Sequence, residues 1–204
     1  MLRGLAALIA PPLCAVCGES CEASETVCDA CGGQIAAHSP LSLTIPGAEA
    51  GWAAVPYSDT PRRLVAALKF GKRLGLAAVA AEAMAAAAPA EAIAIGALVP
   101  VPADPWRRRI RGFDPAREIA GALSRRLELP LSPCLIRRHG PRQTGRPRVE
   151  RLASLPRVEV VDPVPPTAIL IDDVVTTGAT LAACAGALRQ AGSERVLALA
   201  FARA

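Results

Sequence analysis

Aromatic side chains are scarce in this sequence, with two Trp, one Tyr and three Phe among 204 residues. A core must therefore be assembled from Leu, Val, Ile and Ala, and few platforms remain on which nucleobases or single strands could stack. Long apolar runs are missing as well. The longest weakly polar stretch, Leu74 to Ala88, is mostly Ala, holds Glu82 and is stopped by Pro89. That falls short of the roughly 20 strongly apolar residues a bilayer crossing needs, so the segment reads as a soluble helix and no membrane partner is expected. No repeat recurs at a fixed period, which excludes a solenoid. No Gly-Lys-Ser/Thr follows a glycine-rich turn, and no dinucleotide fingerprint is present, which removes the P-loop and Rossmann readings. Nor is there an even disulfide framework. The cysteines number seven, five of them between Cys14 and Cys31, a crowding that fits a local metal site in a reducing cytoplasm better than a secreted scaffold.

What is present begins with charge. The net value is +5, enough to favour phosphates or nucleic acid as ligands without the density of a histone-like protein. The start, MLRGLAALIAPPLC, imitates a secretory signal, but its apolar part is short and Pro11, Pro12 and Leu13 do not suit a cleavage site, so a short helix packed on the domain is expected. Composition changes near residue 50. Residues 1–50 are cysteine-bearing and lack a helical period, whereas residues 51–204 alternate strand-like and helix-like runs.

In that second part, Asp59 or Thr60 can cap a helix with Pro61 at its first position. The Ala-rich helix follows, then a strand over Ala97 to Val101 and a basic loop over Trp106 to Gly112. Asp114 caps a helix with Ile119, Ala120 and Leu123 on its apolar stripe. Residues Arg137 to Arg151 hold six arginines with no hydrophobic period and read as a loop. A strand over Ala168 to Ile171, ended by Asp172 and Asp173, leads to a helix over Leu181 to Gln190 and a last strand over Val196 to Phe201. This alternation predicts an α/β domain with a mainly parallel sheet flanked by helices, whose ligands sit at the carboxyl ends of strands.

The sharpest motif is AILIDDVVTTGATL, Ala168 to Leu181. Backbone N–H groups of Thr176, Thr177, Gly178, Ala179 and Thr180 can close around one phosphate at the positive end of the next helix, and Gly178 permits the turn. Asp172 and Asp173 can accept hydrogen bonds from vicinal hydroxyls. A sugar 5-phosphate supplies both groups at this separation. The motif resembles the ribose 5-phosphate fingerprint of the type I phosphoribosyltransferases, which bind 5-phosphoribosyl 1-diphosphate (PRPP). Separately, Cys14, Cys17, Cys28 and Cys31 form two C-x-x-C pairs that can close a tetrahedron of thiolates around a structural Zn²⁺. Cys21 reads as a bystander or spare ligand, and Cys134 and Cys184 as core residues.

Together, a small N-terminal zinc ribbon over 1–50 and a phosphoribosyltransferase-like domain over 51–204 resemble the ComF family of competence-associated proteins along essentially the whole chain. Three further segments carry the resemblance: LKFGKR from Leu68 with Tyr57 before it, LVPVPADPWRRRIRGFD from Leu98, and RQTGRPRVERL from Arg142. The chain departs from the family pattern at Asp114 and Pro115, where Asn and Gln are usual, and at Ser154, where Asn is usual. The resemblance implies that Asp172 and Asp173 act in catalysis and that Arg108, Arg109, Arg111 and Gly112 hold pyrophosphate with Mg²⁺. It also implies a mobile loop, with Arg138, Arg142, Gln143, Arg148 and Arg151, that covers the reaction. A lysine in the last turn of its helix, Lys69 suits a helix C-terminus.

Two functions stay open at this point. One is transfer of a 5-phosphoribosyl group from PRPP or a related ribose 5-phosphate to an unidentified acceptor. The other is a nucleic-acid or protein adaptor for DNA uptake that keeps the PRPP fold, with single-stranded DNA and DNA-uptake proteins as partners.

Overall fold

The computed structural model describes residues 12–22, 25–138 and 156–204. A five-stranded sheet forms its centre, in the order β1 (Leu41–Ser42), β2 (Ala50–Pro56), β7 (Arg195–Arg203), β6 (Thr167–Val175) and β3 (Ala97–Pro100). All neighbours run parallel except β1, which pairs antiparallel with β2 through Leu41↔Ala53. The expected mainly parallel, helix-flanked sheet is thus present. Leu41 and Ser42 join it from before residue 50.

Strand periodicity divides the core in two. Ile169 and Ile171 of β6, with Leu197, Leu199 and Phe201 of β7, face one side. Ala168, Leu170, Val196, Ala198 and Ala200 alternate with them onto the other side. On the first side pack α2 (Asp59–Gly71) through Leu64, Val65 and Leu68, α3 (Leu76–Ala87) through Ala80 and Met84, and α6 (Pro115–Leu127) through Ile119 and Leu123. The second side takes α7 (Ala179–Gln190) through Leu181, Cys184 and Leu188. The β7 residues on the α7 side are small (Val196, Ala198, Ala200), whereas those on the α2, α3 and α6 side are large (Leu197, Leu199, Phe201). Each fully buried Leu contributes about 1.5–3 kcal/mol, so the sheet is clamped from both faces. Cys134 and Cys184 are core residues, as their surroundings in sequence suggest.

The remaining elements are α1 (Asp29–Ala36), α4 (Ala90–Ile93), α5 (Pro105–Arg111), and a separate antiparallel ribbon of β4 (Leu135–Arg138) and β5 (Arg157–Val160). Several local expectations change. The segment Trp106 to Gly112 is not a loop but the body of α5, started by Pro105 and capped by Asp104, whose carboxylate accepts from the Trp106 and Arg107 N–H groups. Arg137 and Arg138 belong to β4 rather than to a loop. Helix α2 begins at Asp59 itself, with Ser58 in the capping position. Strand β6 does not end at the two acids but runs on to Val175, because β7 continues to pair with it through Val174↔Ala202.

The cysteine-bearing segment leans on the main core. Ile35 of α1 is part of the first core cluster and Ala15, Val16 and Val27 pack against it. A hydrogen bond from the Thr60 hydroxyl to Gln34 ties α1 to α2.

Candidate functional site

The site arises because two neighbouring strands differ in length. Strand β3 pairs with β6 only up to Pro100↔Ile171, and the Val101 N–H makes one last bond to the Ile171 carbonyl at 2.9 Å. Pro102 has no N–H to continue the ladder, so the chain turns away into α5. Residues Asp172 to Val175 therefore overhang the end of β3, and a cleft of about 470 Å³ opens beside them. Asp172 and Asp173 line it from β6, Thr176 from the turn, Thr180 from α7, Lys69 from α2, Arg107 and Arg111 from α5, and Arg137 from β4.

At the head of α7 the backbone is set for an anion. Gly178 has φ +73°, a left-handed conformation that a side chain resists. A Cβ there would stand 2.8 Å from Ile45 Cδ1. The first helical bond is Ala182 N–H to the Gly178 carbonyl at 2.9 Å, so the N–H groups of residues 179–181 precede the helical ladder and point out of its positive end. Thr177 Oγ1 accepts only a long contact of 3.4 Å from the Ala179 N–H.

The acids differ in environment. Asp173 is buried, and its Oδ2 lies 2.8 Å from Lys69 Nζ. Burial holds the Asp172 carboxyl well above the usual carboxylate range, and the Asp173 charge pushes the same way; the Asp173 N–H and Lys69 oppose both. That N–H donates to Asp172 Oδ1 at 2.8 Å. Asp114 ties the cleft wall together, its Oδ2 accepting from the Ala103 N–H at 2.8 Å and its Oδ1 from the Ala116 N–H at 3.1 Å. Burial raises its pKa against those bonds. Across the mouth, Arg111 stacks over the exposed Phe70 ring at 5.3 Å, which joins the end of α5 to the end of α2 by a cation–π contact.

A second cavity of about 530 Å³ adjoins this cleft and shares Pro102, Ala103, Asp114 and Arg137 with it. Arg108, Arg109 and Gly112 line this second cavity, whereas Arg111 lines the first. The four residues that the resemblance groups on pyrophosphate thus lie on two faces of α5. Of the mobile-loop residues, Arg138 sits on β4 and pairs with Glu159 at 2.7 Å, and Arg142, Gln143, Arg148 and Arg151 lie outside the described residues. Thr177 and Gly178, in the turn, and Ala179, the first residue of α7, do not line the cleft. Nothing in the sequence marks Lys69, Arg107 and Arg137 as site residues. Lys69 is a helix-end charge, and only the tertiary fold reveals its partner, Asp173 on β6.

Cys14, Cys17, Cys28 and Cys31 bring their sulfur atoms within 4.8 Å of one another, close enough for all four to hold one metal ion. The chain places them by two turns, with Gly18 N–H bonded to the Cys14 carbonyl and Cys28 capping α1. Burial disfavours the Cys14 thiolate, but the N–H groups of Cys17, Cys28 and Val16 outweigh it and bring the pKa to about 6. Burial and the neighbouring sulfurs push Cys31 up. A soft, borderline cation such as zinc suits four sulfur donors. Cys21 stays out of the cluster and donates to the Glu25 carbonyl.

Among the described residues, no helix is long and apolar enough to cross a membrane. No protein-family model matches the chain, and no curated protein matches it.

Proposed function

We propose that this chain binds PRPP, or a related ribose 5-phosphate, at the overhanging end of β6 and transfers the 5-phosphoribosyl group to an acceptor. The observation that carries the reading is the juxtaposition of Asp172 and Asp173 with Thr176, Thr180, Arg107 and Arg111 around one cleft. In this reading the turn and the first N–H groups of α7 hold the 5-phosphate. Asp172 and Asp173 accept from the ribose hydroxyls, with the Lys69 ammonium, 2.8 Å away, holding Asp173 in place. Arg107, Arg111 and Arg137 receive the diphosphate, since fixed guanidiniums suit a leaving group of high charge.

The bond from C1 to the diphosphate oxygen breaks with its electron pair leaving on the diphosphate. A lone pair of the acceptor forms the new bond at C1, and the acceptor's proton passes to solvent. Positive charge developing on the ribose is stabilised by the carboxylates at the strand end. Mg²⁺, a hard cation fitted to phosphate and carboxylate oxygens, would come with the diphosphate and neutralise part of its charge. The four cysteines, in the same reading, carry a structural zinc that braces the segment under α2. ComF-family membership and a cytoplasmic setting in DNA uptake belong to this proposal, on the strength of the motif series.

Calorimetry with PRPP and Mg²⁺ tests it. Wild type should bind, and Asp172→Asn combined with Asp173→Asn should weaken binding by at least about tenfold, since each charge-assisted bond is worth roughly 1.5–3 kcal/mol. Absence of wild-type binding, or unaltered binding in the double variant, leaves the adaptor reading in its place.

A further inference from the structure

Helix α5 carries arginines on two faces, and only one of them looks onto the cleft that holds Asp172. Arg107 and Arg111, one helical turn apart, line that cleft. Arg108 and Arg109 turn to the adjoining cavity, where Arg117 of α6 and Arg137 of β4 meet them. At about 530 Å³ it lies within the roughly 300–1,000 Å³ of small-molecule sites.

Among the described residues its charge is uncompensated: Asp114 is the one carboxylate among those that line it, and both Asp114 oxygens already accept from backbone N–H groups. Among the described residues the ion pairs lie elsewhere, at Lys69, Arg126, Arg138 and Arg195, so none takes up the four guanidiniums. Like charges gathered on one concavity repel until an anion arrives. The guanidinium fork matches a carboxylate or a phosphate in shape, so the rest of the lining decides between them. The opposite wall is apolar, built from Pro133, Leu135 and Ile136, and offers a surface to the body of a ligand rather than to a bare ion. Gly112, at φ +83° and with nothing within 4 Å of its Cβ position, leaves the end of α5 open to close approach.

We propose that this second cavity is a binding site for a small organic carboxylate with an apolar body, and that this ligand is the acceptor. The acceptor role rests on the transfer reading above, because the two cavities share Asp114 and Arg137 and so place their ligands side by side; the carboxylate site rests on its own lining.

The test uses phthalate, an aromatic dicarboxylate, as probe, with inorganic phosphate and ribose 5-phosphate alongside, titrated into the full chain. Arg108 and Arg117 are both exposed, so replacing them spares the core. Wild type should bind phthalate, and Arg108→Ala with Arg117→Ala should weaken that binding at least tenfold while ribose 5-phosphate binding stays within twofold, which also reports an intact fold. Phthalate binding that is absent, or that survives the double substitution, overturns the site. Inorganic phosphate binding as tightly as phthalate, with the same dependence on Arg108 and Arg117, overturns the carboxylate assignment. If phthalate binds as expected but ribose 5-phosphate does not bind wild type, the transfer reading and with it the acceptor role fall, and the carboxylate site stands.

Discussion

Burial of the Asp172 carboxyl makes the stability of the fold depend on pH. Its carboxyl titrates well above the ordinary 3.8, first through burial and then through Asp173, so the unfolded chain loses this proton at lower pH than the folded one. Stability is therefore fully present below the ordinary value, falls as pH rises past it, and levels off above the folded pKa. Asp172→Asn removes that loss. Its melting temperature should exceed the wild-type value at neutral pH, and the gap should close toward pH 4. Thermal scans across pH read it directly, and a variant less stable than wild type at neutral pH contradicts the assignment. Gly178 poses the opposite case. Gly178→Val must hold φ +73° and displace Ile45, which costs about 1–3 kcal/mol for the backbone alone. It also scatters the N–H groups at the head of α7, so calorimetry should find ribose 5-phosphate binding lost even where the variant remains folded.

At the scale of elements, burial decided what the sequence could disclose. Strand β6 and helices α6 and α7 present apolar residues at a regular spacing, and their acids, caps and glycine were legible because each stands where such a run stops. Helix α5 buries nothing, and its Trp106 and Ile110 stay exposed, so no apolar period marks it. Strand β5 alternates charge with half-buried valines, but its partner β4 ends in two consecutive arginines, and an arginine-rich strand reads like an arginine-rich loop. The cysteine spacing announced a metal module but not its attachment to α2 through Ile35 and the Gln34–Thr60 bond. That attachment makes a prediction. Metal analysis should find about one Zn²⁺ per chain, lost in Cys17→Ser, and since structural zinc contributes on the order of 10 kcal/mol to its module, the loss should reach α2 and lower the main unfolding transition. Zinc loss with that transition unmoved in scanning calorimetry would show the module to be an independent appendage.

Across the whole molecule, positive charge is concentrated rather than spread. The net value is +5, yet Arg107, Arg108, Arg109, Arg111, Arg117 and Arg137 all gather around the two cavities at one end of the sheet. Six arginines fall between Arg137 and Arg151 in sequence, most of them outside the described residues. A surface of this kind attracts any polyanion, so oligonucleotide binding by itself does not separate an adaptor from a transferase. Salt and competition do. Single-stranded DNA held by these arginines should release counterions, giving a slope of roughly −0.7 in log K against log salt for each phosphate neutralised. Because few aromatics are available for stacking, little affinity should remain at high salt. Arg137 lines both cavities, so pyrophosphate bound there should displace the strand. Fluorescence anisotropy of a labelled oligothymidine, titrated with salt and then with pyrophosphate, measures both effects. A flat salt dependence removes the electrostatic account of DNA binding. Salt-sensitive binding that pyrophosphate leaves untouched places the DNA on a surface away from the cleft, and an adaptor role could then coexist with ribosyl transfer instead of replacing it.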